Sequence, residues 1–468
     1  MKMIVGKDHG KLPLYEEVAA RIASLVEEGI FRPGEKVPSI RGLSQQQGVS
    51  LNTVKQAYAF LEDRRLIEAR PQSGYFVCAR LPELPVEPPI TRREISPTEV
   101  SLGDLSRMIL RDAMRPELLQ LGVSLPDPES LPIERLSRMM HSEIRRRPAQ
   151  SIEYAIPPGN ERLRTQIAKH MLLAGCVLKP DEIVITTGCM EAVFLALKTL
   201  CRPGDTVVVE SPTFFNFLQL IEALGLKALE IPTSPTEGMS LEALGYALEH
   251  NEVKACLVVT NFNNPLGCVM TSARKQEMVR LLERHGVPLI EDDIHGDLAH
   301  TDERPGVARS FSRSGNVLLC SSFSKTVAPG YRVGWIAPGR YQQEIEALKM
   351  AVTVASASPT QMAVAEFLAN GGYERHLRKI RRTYAQKMAK MGEAIGRYFP
   401  AGTKVSRPRG GFCLWVEMPE GVDSQRLYGE ALAEGITIAP GTLFSASGKF
   451  RNCVRLNAAY WSARVEGA

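Results

Sequence analysis

Residues 321–334 read SSFSKTVAPGYRVG and contain the strongest chemical signal in the chain. The apolar run 317–321 precedes this stretch and predicts a buried strand. Lys325 follows among small and apolar residues without an acidic neighbour in sequence, which favours the neutral amine that a Schiff base requires. The same stretch supplies hydrogen-bond donors suited to a phosphate: Ser322, Ser324 and Arg332.

This spacing, S-x-S-K-x-x-x-P-G-x-R-x-G, resembles the signature of fold-type I pyridoxal 5'-phosphate (PLP) enzymes. A lone lysine is usually a surface residue, so Lys325 is singled out only by the motif as a whole. The resemblance implies PLP as the cofactor and an internal aldimine between PLP and Lys325.

Other segments resemble the same family, in the expected order along the chain. After a predicted strand, Gly188, Cys189 and Met190 open a helix whose N–H groups can bind a phosphate. The resemblance assigns further roles: Phe214 stacks on the pyridine ring, Asn264 binds the phenolic oxygen, Asp292 pairs with the ring nitrogen, Arg455 binds a substrate carboxylate and Tyr154 reaches the phosphate across a dimer interface. Taken singly, each could be an ordinary core or loop residue.

One departure from that family falls beside Asp292. The family usually has a tyrosine two or three residues later, where this chain has Ile294 and His295. His295 either replaces the tyrosine's hydrogen bond to the cofactor or leaves that contact absent.

Short apolar runs recur between helical segments in the C-terminal part of the chain, at 182–187, 206–210, 255–260, 288–292 and 317–321. Such runs predict strands buried on both faces, hence an α/β fold with a mostly parallel sheet. Together with the resemblance, they predict an aminotransferase-like domain at 116–468, with a large α/β part and a smaller α+β part. The Pro-rich stretch that begins at residue 81 predicts a linker over 81–115.

Residues 1–80 are predicted to form a separate winged helix-turn-helix domain. Helical periodicity begins near Leu14, a second short helix covers 39–46, and a third runs from Leu51 to about residue 64. Two short β-type runs with a turn between them follow. This part holds 12 Lys/Arg and 9 Asp/Glu, an excess that ordinary surface charge explains equally well.

In a helix-turn-helix the second helix of the pair enters the major groove. Candidate DNA contacts are Ser50, Asn52, Thr53 and Lys55 on that helix, Arg41 before it and Gly74 at the wing. The alternative is a small helical domain with a polar surface. The ordered elements G-x-x-x-P-G-x-x-x-P-S-x-R, G-V-S-x-x-T-V and S-G-Y-F-V resemble the GntR-type winged helix, although Leu51 stands where that family usually has arginine.

Composition excludes several classes of protein. Hydrophobic residues make up 44% and charged residues 23% of the 468, as in ordinary globular chains. No apolar run approaches the roughly 18 residues that a membrane helix needs, and the first eleven residues lack a signal-peptide core. The nine cysteines are scattered, which argues against a zinc site and favours the cytoplasm.

A winged helix, a linker and an aminotransferase-like domain in this order resemble the MocR subfamily of GntR-type transcriptional regulators. The resemblance implies a homodimer that binds double-stranded operator DNA and responds to PLP, with or without an amino compound. Two alternatives stay open: a working aminotransferase with an accessory DNA-binding head, and a degenerate domain that serves only to dimerise.

Overall fold

The computed structural model describes residues 13–27, 30–31, 34–63, 66–70, 73–78, 85–90, 95–101, 103 and 105–462. The chain divides into two compact units, residues 1–84 and 85–468. Parts of the predicted linker, 81–84, 91–94, 102 and 104, lie outside the described residues.

The first unit contains α1 (Leu14–Glu27), α2 (Ile40–Gln47), α3 (Leu51–Asp63) and the antiparallel hairpin β1 (Ile67–Arg70) and β2 (Gly74–Val77). This order confirms the predicted winged helix-turn-helix. Each of these elements contributes apolar side chains to one core, in which Tyr58 is fully buried. The Ser39 hydroxyl caps α2 by accepting from Gly42 N at 3.0 Å, and Ser50 caps α3 by accepting from Thr53 N at 3.0 Å.

The helices of the second unit are α4 (Leu105–Asp112), α5 (Ile133–Arg146), α6 (Pro148–Ile152), α7 (Glu161–Met171), α8 (Cys189–Leu200), α9 (Phe215–Ala223), α10 (Leu241–His250), α11 (Ser272–Arg284), α12 (Gln342–Thr353), α13 (Ser358–Ala369), α14 (Gly372–Tyr398) and α15 (Ser424–Ala433). Its strands are β3 (Thr98–Glu99), β4 (Leu119–Gln120), β5 (Val184–Thr186), β6 (Thr206–Ser211), β7 (Lys227–Ser234), β8 (Gly238–Met239), β9 (Val253–Val258), β10 (Leu289–Asp292), β11 (Val317–Ser322), β12 (Gly334–Ala337), β13 (Lys404–Val405), β14 (Cys413–Glu417), β15 (Ile436–Thr437), β16 (Ala439–Pro440) and β17 (Cys453–Asn457). Among these described elements, no helix is long and apolar enough to cross a membrane.

The central sheet has the order β3-β7-β6-β9-β10-β11-β12-β5. Neighbouring strands from β7 to β11 pair in parallel, whereas β3 and β12 run antiparallel to their neighbours. Val207 and Val209 pack on one face of the sheet and Val208 on the other, as the apolar runs predict. The parallel strands end at one common edge, which is where α/β proteins build their sites.

A smaller antiparallel sheet, β13-β14-β17-β16, forms near the C-terminus. Its core joins α14 and α15 through Met388, Trp415 and Tyr428. The predicted division into a large α/β part with a mostly parallel sheet and a smaller α+β part is confirmed. Arg455 lies in the middle of β17, opposite Trp415 of β14.

The described part of the predicted linker, which lies between residues 85 and 115, belongs to the second unit. Val86 O accepts from Val405 N at 2.9 Å, and β3 pairs with the edge strand β7. Residues 105–112 form α4, which buries Ile109 and Ser106. The proline spacing indicates extended chain, but it carries no information about the surface along which that chain packs.

Candidate functional site

The exposed face of the first unit is polar and basic. On α3, Asn52 and Lys55 point to solvent, while Val54, Ala57 and Tyr58 point into the core. Arg41 on α2 is also exposed. A helix with a buried apolar stripe and exposed amide and ammonium groups can contact base edges and phosphates in a major groove.

The small hydroxyl residues of this face are already engaged. The Ser50 and Thr53 side-chain oxygens lie 2.8 Å apart, at the cap of α3. Leu51 is 47% exposed beside them, in the place where the resemblance leads us to expect arginine. At the wing, Gly74 has a φ of 102°, a conformation that favours glycine.

The second unit contains a cavity of about 210 Å³ where the central strands end. Predicted residues that line it are Cys189, Met190, Phe214, Asn264, Asp292, His295, Ser322, Ser324, Lys325 and Arg332. They come from segments between residues 189 and 332, so the fold brings them together from distant parts of the sequence.

Lys325 follows β11 and faces this cavity. Its Nζ donates to the backbone oxygen of Ser124 at 2.6 Å, and no carboxylate forms an ion pair with it among the described residues. Burial lowers the pKa of Lys325 to about 8, and the positive charges of Arg455 and Arg332 act in the same direction. The amine therefore loses its proton more readily than a surface lysine, as Schiff-base chemistry requires.

Asp292 ends β10 at the same edge of the sheet. Burial raises the pKa of Asp292 to about 7, although Ile294 N donates to its Oδ1 at 2.9 Å and the nearby Cys189 thiol also favours the charged form. A buried carboxyl group of this kind gains most from a cationic partner, such as a protonated ring nitrogen.

His295 reaches the cavity from the turn after β10 and is 95% buried. It lies beside the backbone of Phe262, a residue with a positive φ of 53°. Its Nδ1 is buried and has no hydrogen-bond partner in the described part of the chain. Burial, Lys325 and Arg455 lower the pKa of His295 to about 3, so the ring is neutral at physiological pH.

Gly188 and Arg332 form another corner of the site. Gly188 precedes α8 with a φ of 83°, and a Cβ there would collide with the Arg332 guanidinium. Arg332 donates from Nη2 to Thr187 O at 3.1 Å and from Nη1 to Ser324 Oγ at 3.3 Å. The start of α8, an arginine and a serine together make a suitable place for a phosphate.

Arg455 does not line the cavity but touches a residue that does. Its Nη1 donates to Asn264 Oδ1 at 3.1 Å, and Nη2 donates to Gly122 O. The side chain is fully buried, and Nε has no partner among the described residues. Burial lowers the pKa of Arg455, but an arginine still stays charged.

Tyr154 is placed differently from the other predicted residues. It is 81% exposed and does not line the cavity. Its role across a dimer interface stays a prediction, as do the individual roles of the other candidate residues.

Sequence reasoning missed several parts of the cavity wall. These are Leu110, Val123, Ser124, Leu125, Phe215, Asn216, Phe217 and Val259. Ser124 contributes a backbone carbonyl and most of the others are apolar, so no titratable side chain marked them in the sequence. The apolar pattern predicts their burial but not which cavity they face.

The residues present fit pyridoxal phosphate. The orphaned buried His295 Nδ1, a glycine cradle without room for a Cβ, a depressed lysine pKa and a buried carboxyl all face one region. The fold and the site together define a PLP-enzyme domain joined to a helix-turn-helix domain.

Comparison with known families agrees for both units. Residues 117–464 match the family "Aminotransferase class I and II", and residues 14–77 match "Bacterial regulatory proteins, gntR family". The uncharacterized HTH-type transcriptional regulators YjiR and YdcR of Escherichia coli (strain K12) are 42% and 38% identical to this chain. The YjiR match covers 95% of this chain and 94% of YjiR, and the YdcR match covers 97% of each.

Solved aminotransferases share the fold of the second unit. The multiple substrate aminotransferase of Thermococcus profundus superposes with a TM-score of 0.72 at 26% identity, covering 78% of this chain and 92% of that one. The chain belongs to the aminotransferase class I and II family and to the same family as the HTH-type regulators YjiR and YdcR, with a gntR-family domain before the aminotransferase fold. The cofactor of this fold is pyridoxal phosphate.

Proposed function

We propose that this protein is a MocR-type homodimer that works in the cytoplasm, binds promoter DNA through its first unit and senses an amino acid or amine through PLP at Lys325. The observation that carries the proposal is Lys325 itself. It is a lysine of depressed pKa that faces a cavity without an ion-pair partner among the described residues, in a chain that also has an exposed recognition helix.

When bound, PLP supplies an aldehyde that condenses with amines and a ring that withdraws electrons. Lys325 is proposed to bind the aldehyde carbon, Asp292 the ring nitrogen and Phe214 the ring face. Asn264 and His295 are proposed to lie at the phenolic oxygen. The residues proposed to hold the phosphate are Gly188, Cys189, Met190, Ser322, Ser324, Arg332 and the dimer partner's copy of Tyr154. Arg455, whose Nε has no partner among the described residues, is proposed to receive the effector's carboxylate. The Thermus thermophilus aminotransferase LysN, 27% identical over 75% of this chain, was solved with N-(5'-phosphopyridoxyl)-L-leucine, which supports a site for both molecules.

Exposed apolar residues support the homodimer. Ile152, Tyr154 and Ile156 are 87%, 81% and 54% exposed, and Val352 is 51% exposed. An antiparallel bridge between Ala155 and Ser356 joins these two segments into one surface. Exposed apolar surface of this kind favours a protein partner. The substitution Ile152→Asp is expected to shift the protein towards monomer in light scattering, and an unchanged mass would count against this surface.

The effector site is tested by visible absorbance of the PLP-loaded protein. We expect a band that the substitution Lys325→Ala abolishes and the matched control Lys254→Ala, at an exposed position, leaves intact. Addition of an effector should shift the band and change the affinity for operator DNA in a gel-shift titration. A Lys325→Ala protein whose DNA binding still responds to the same effector would contradict the proposal.

A working aminotransferase is the second candidate. It is favoured by the placement of Asp292 and Lys325 at one cavity, with Arg455 bonded to Asn264 of its wall, an arrangement suited to the chemistry. Multiple turnovers of keto acid would establish this second candidate. A band that shifts on adding an amine and then holds supports the sensor.

A further inference from the structure

A buried ion pair joins α12 to the start of α8, outside the cavity lining. Lys349 Nζ lies 2.9 Å from Glu191 Oε2, and the two side chains are 1% and 10% exposed. The same Nζ donates to Thr353 Oγ1 and to Ser356 Oγ, each at 3.1 Å. These three acceptors use all three N–H groups of the ammonium. Since both charged side chains are buried within one protomer, their pairing does not depend on what a dimer partner contributes.

Both ends of this pair reach Thr187, the residue that opens the turn from β5 into α8. The Glu191 oxygen that meets Lys349 also accepts from Thr187 N. Ser356 Oγ lies 3.1 Å from Thr187 Oγ1. The carbonyl oxygen of Thr187 accepts from Arg332 Nη2 at 3.1 Å. Thr187 is therefore held through its N–H, its hydroxyl and its carbonyl, and these contacts fix the turn that leads into α8.

Glu191 places a negative charge in the first turn of α8, where the phosphate is proposed to bind. Burial alone would raise the pKa of Glu191, but the Thr187 N–H and Lys349 hold it below its usual value. Its Oε1 is buried and has no partner in the described part of the chain, where Lys349 is the cation paired with this carboxylate. The phosphate of PLP is also an anion, and two anions at the start of one helix repel each other. The charge of Lys349 opposes that repulsion while Glu191 holds Thr187 N.

We propose that Lys349 is a positioning residue of the phosphate site, which neutralises Glu191 and fixes Thr187 so that the start of α8 can bind a phosphate dianion. The inference rests on the proposed function for the place of the phosphate, at Gly188 and Arg332. Removal of Lys349 leaves a buried carboxylate without its cation. A ligand with a phosphate meets that charge, whereas a ligand without one does not. Removal of both charges removes the repulsion.

The test compares PLP with pyridoxal, which has the same aldehyde and ring but no phosphate. Each is titrated into the cofactor-free full chain, and the visible band gives the half-saturating concentration. The variants are Lys349→Met, Glu191→Gln and the double variant that carries both substitutions. The matched control is Lys198→Met, at an exposed position near the other end of α8. Saturation of the band by pyridoxal shows that a variant is folded and that Lys325 still condenses with an aldehyde.

Wild type is expected to bind PLP far more tightly than pyridoxal. Lys349→Met should raise the half-saturating concentration of PLP about tenfold and change that of pyridoxal by less than about twofold. The double variant should recover PLP binding to within about threefold of wild type, since it has no buried charge left uncompensated. Glu191→Gln alone should not weaken PLP binding, because it leaves the ammonium near the phosphate. Lys198→Met should change the affinity for neither ligand.

Three results overturn this inference alone: unchanged PLP affinity in Lys349→Met, equal loss for PLP and pyridoxal in that variant, or a double variant that does not recover. If Lys349→Met does not fold, the double variant decides, since recovered PLP binding supports the inference and continued loss overturns it. A PLP band that no amine shifts contradicts the proposed function and leaves this inference standing. A wild type that binds PLP no more tightly than pyridoxal contradicts the proposed phosphate site and this inference together.

Discussion

Arg304 is the centre of a buried charge network beside the candidate site, and we expect its removal to lower the free energy of unfolding. Its guanidinium forms ion pairs with Asp293, which directly follows Asp292, and with Asp297, where Nε lies 2.6 Å from Oδ1. The Arg304 side chain is 5% exposed and that of Asp293 is fully buried. The substitution Arg304→Met keeps much of the aliphatic stem but leaves both carboxylates without their shared cation.

Breaking a buried ion pair by removing one partner costs about 3–5 kcal/mol of unfolding free energy, because a buried charge is left uncompensated. For a unit of this size, that corresponds to a fall in Tm of about 4–6 °C. The matched control is Arg426→Met, since Arg426 and its partner Glu430 are 82% and 58% exposed. Loss of an exposed pair is expected to cost less than about 1 kcal/mol.

The pH dependence of this deficit provides an independent check. Burial alone would raise the pKa of Asp297, but His170 and Arg304 hold it well below its usual range. A carboxyl with a depressed pKa contributes stability above its unfolded value of about 4 and loses that contribution as the pH falls further. The deficit of Arg304→Met relative to wild type should therefore be full at pH 7 and shrink in acid, measured by urea unfolding. Equal losses for the two arginine variants, or a deficit that grows in acid, would refute this reasoning.

Three further predictions use other parts of the chain. Because the pKa of Lys325 is about 8, the cofactor-free protein should take up PLP faster as the pH rises through 8, and the visible absorbance measures this rate. A rate independent of pH would contradict this prediction. Burial alone would lower the pKa of His170, but Asp297 raises it to about 9. Protonated His170 should therefore contribute on the order of 2–3 kcal/mol to the free energy of unfolding below pH 6.5, and this contribution should be lost as the pH rises through 9. In urea unfolding, the free energy of unfolding of His170→Asn should change less with pH over that range than that of wild type. Arg41→Ala and Lys55→Ala should each weaken DNA binding and reduce the salt slope by about 1, whereas Arg21→Ala on α1 should not; unchanged affinity in gel shift would contradict the placement of the recognition helix.

The strands and caps could be predicted from sequence because their signals are local. The run 288–292 predicts a strand, and the structure has it at Leu289–Asp292. Ser39 and Ser50 are small hydroxyl residues before helical periodicity, and both cap a helix. In these cases the residue that gives the signal is the residue that makes the contact.

The residues of the cavity wall could be predicted only where a side chain is charged or belongs to a recognisable motif. Lys325 and Asp292 stand out in the sequence, but Ser124 acts through a backbone carbonyl that every residue possesses. The pairing of Arg455 with Gly122 O joins positions 333 residues apart and is likewise invisible to local pattern. The placement of α4 belongs to the same class, since proline spacing describes the chain's stiffness and not its packing partner.

The energetics of the cavity argue against a domain that serves only to dimerise. Lys325 has no ion-pair partner among the described residues, and Arg455 Nε and His295 Nδ1 make no hydrogen bond within that part of the chain. Each unsatisfied buried polar group costs about 1–3 kcal/mol, and a buried cation costs more. These costs fall together around one 210 Å³ cavity. A fold that only dimerised would gain stability by replacing these groups with apolar side chains, whereas a cofactor held by Lys325 and His295 and an effector carboxylate at Arg455 would offset the cost.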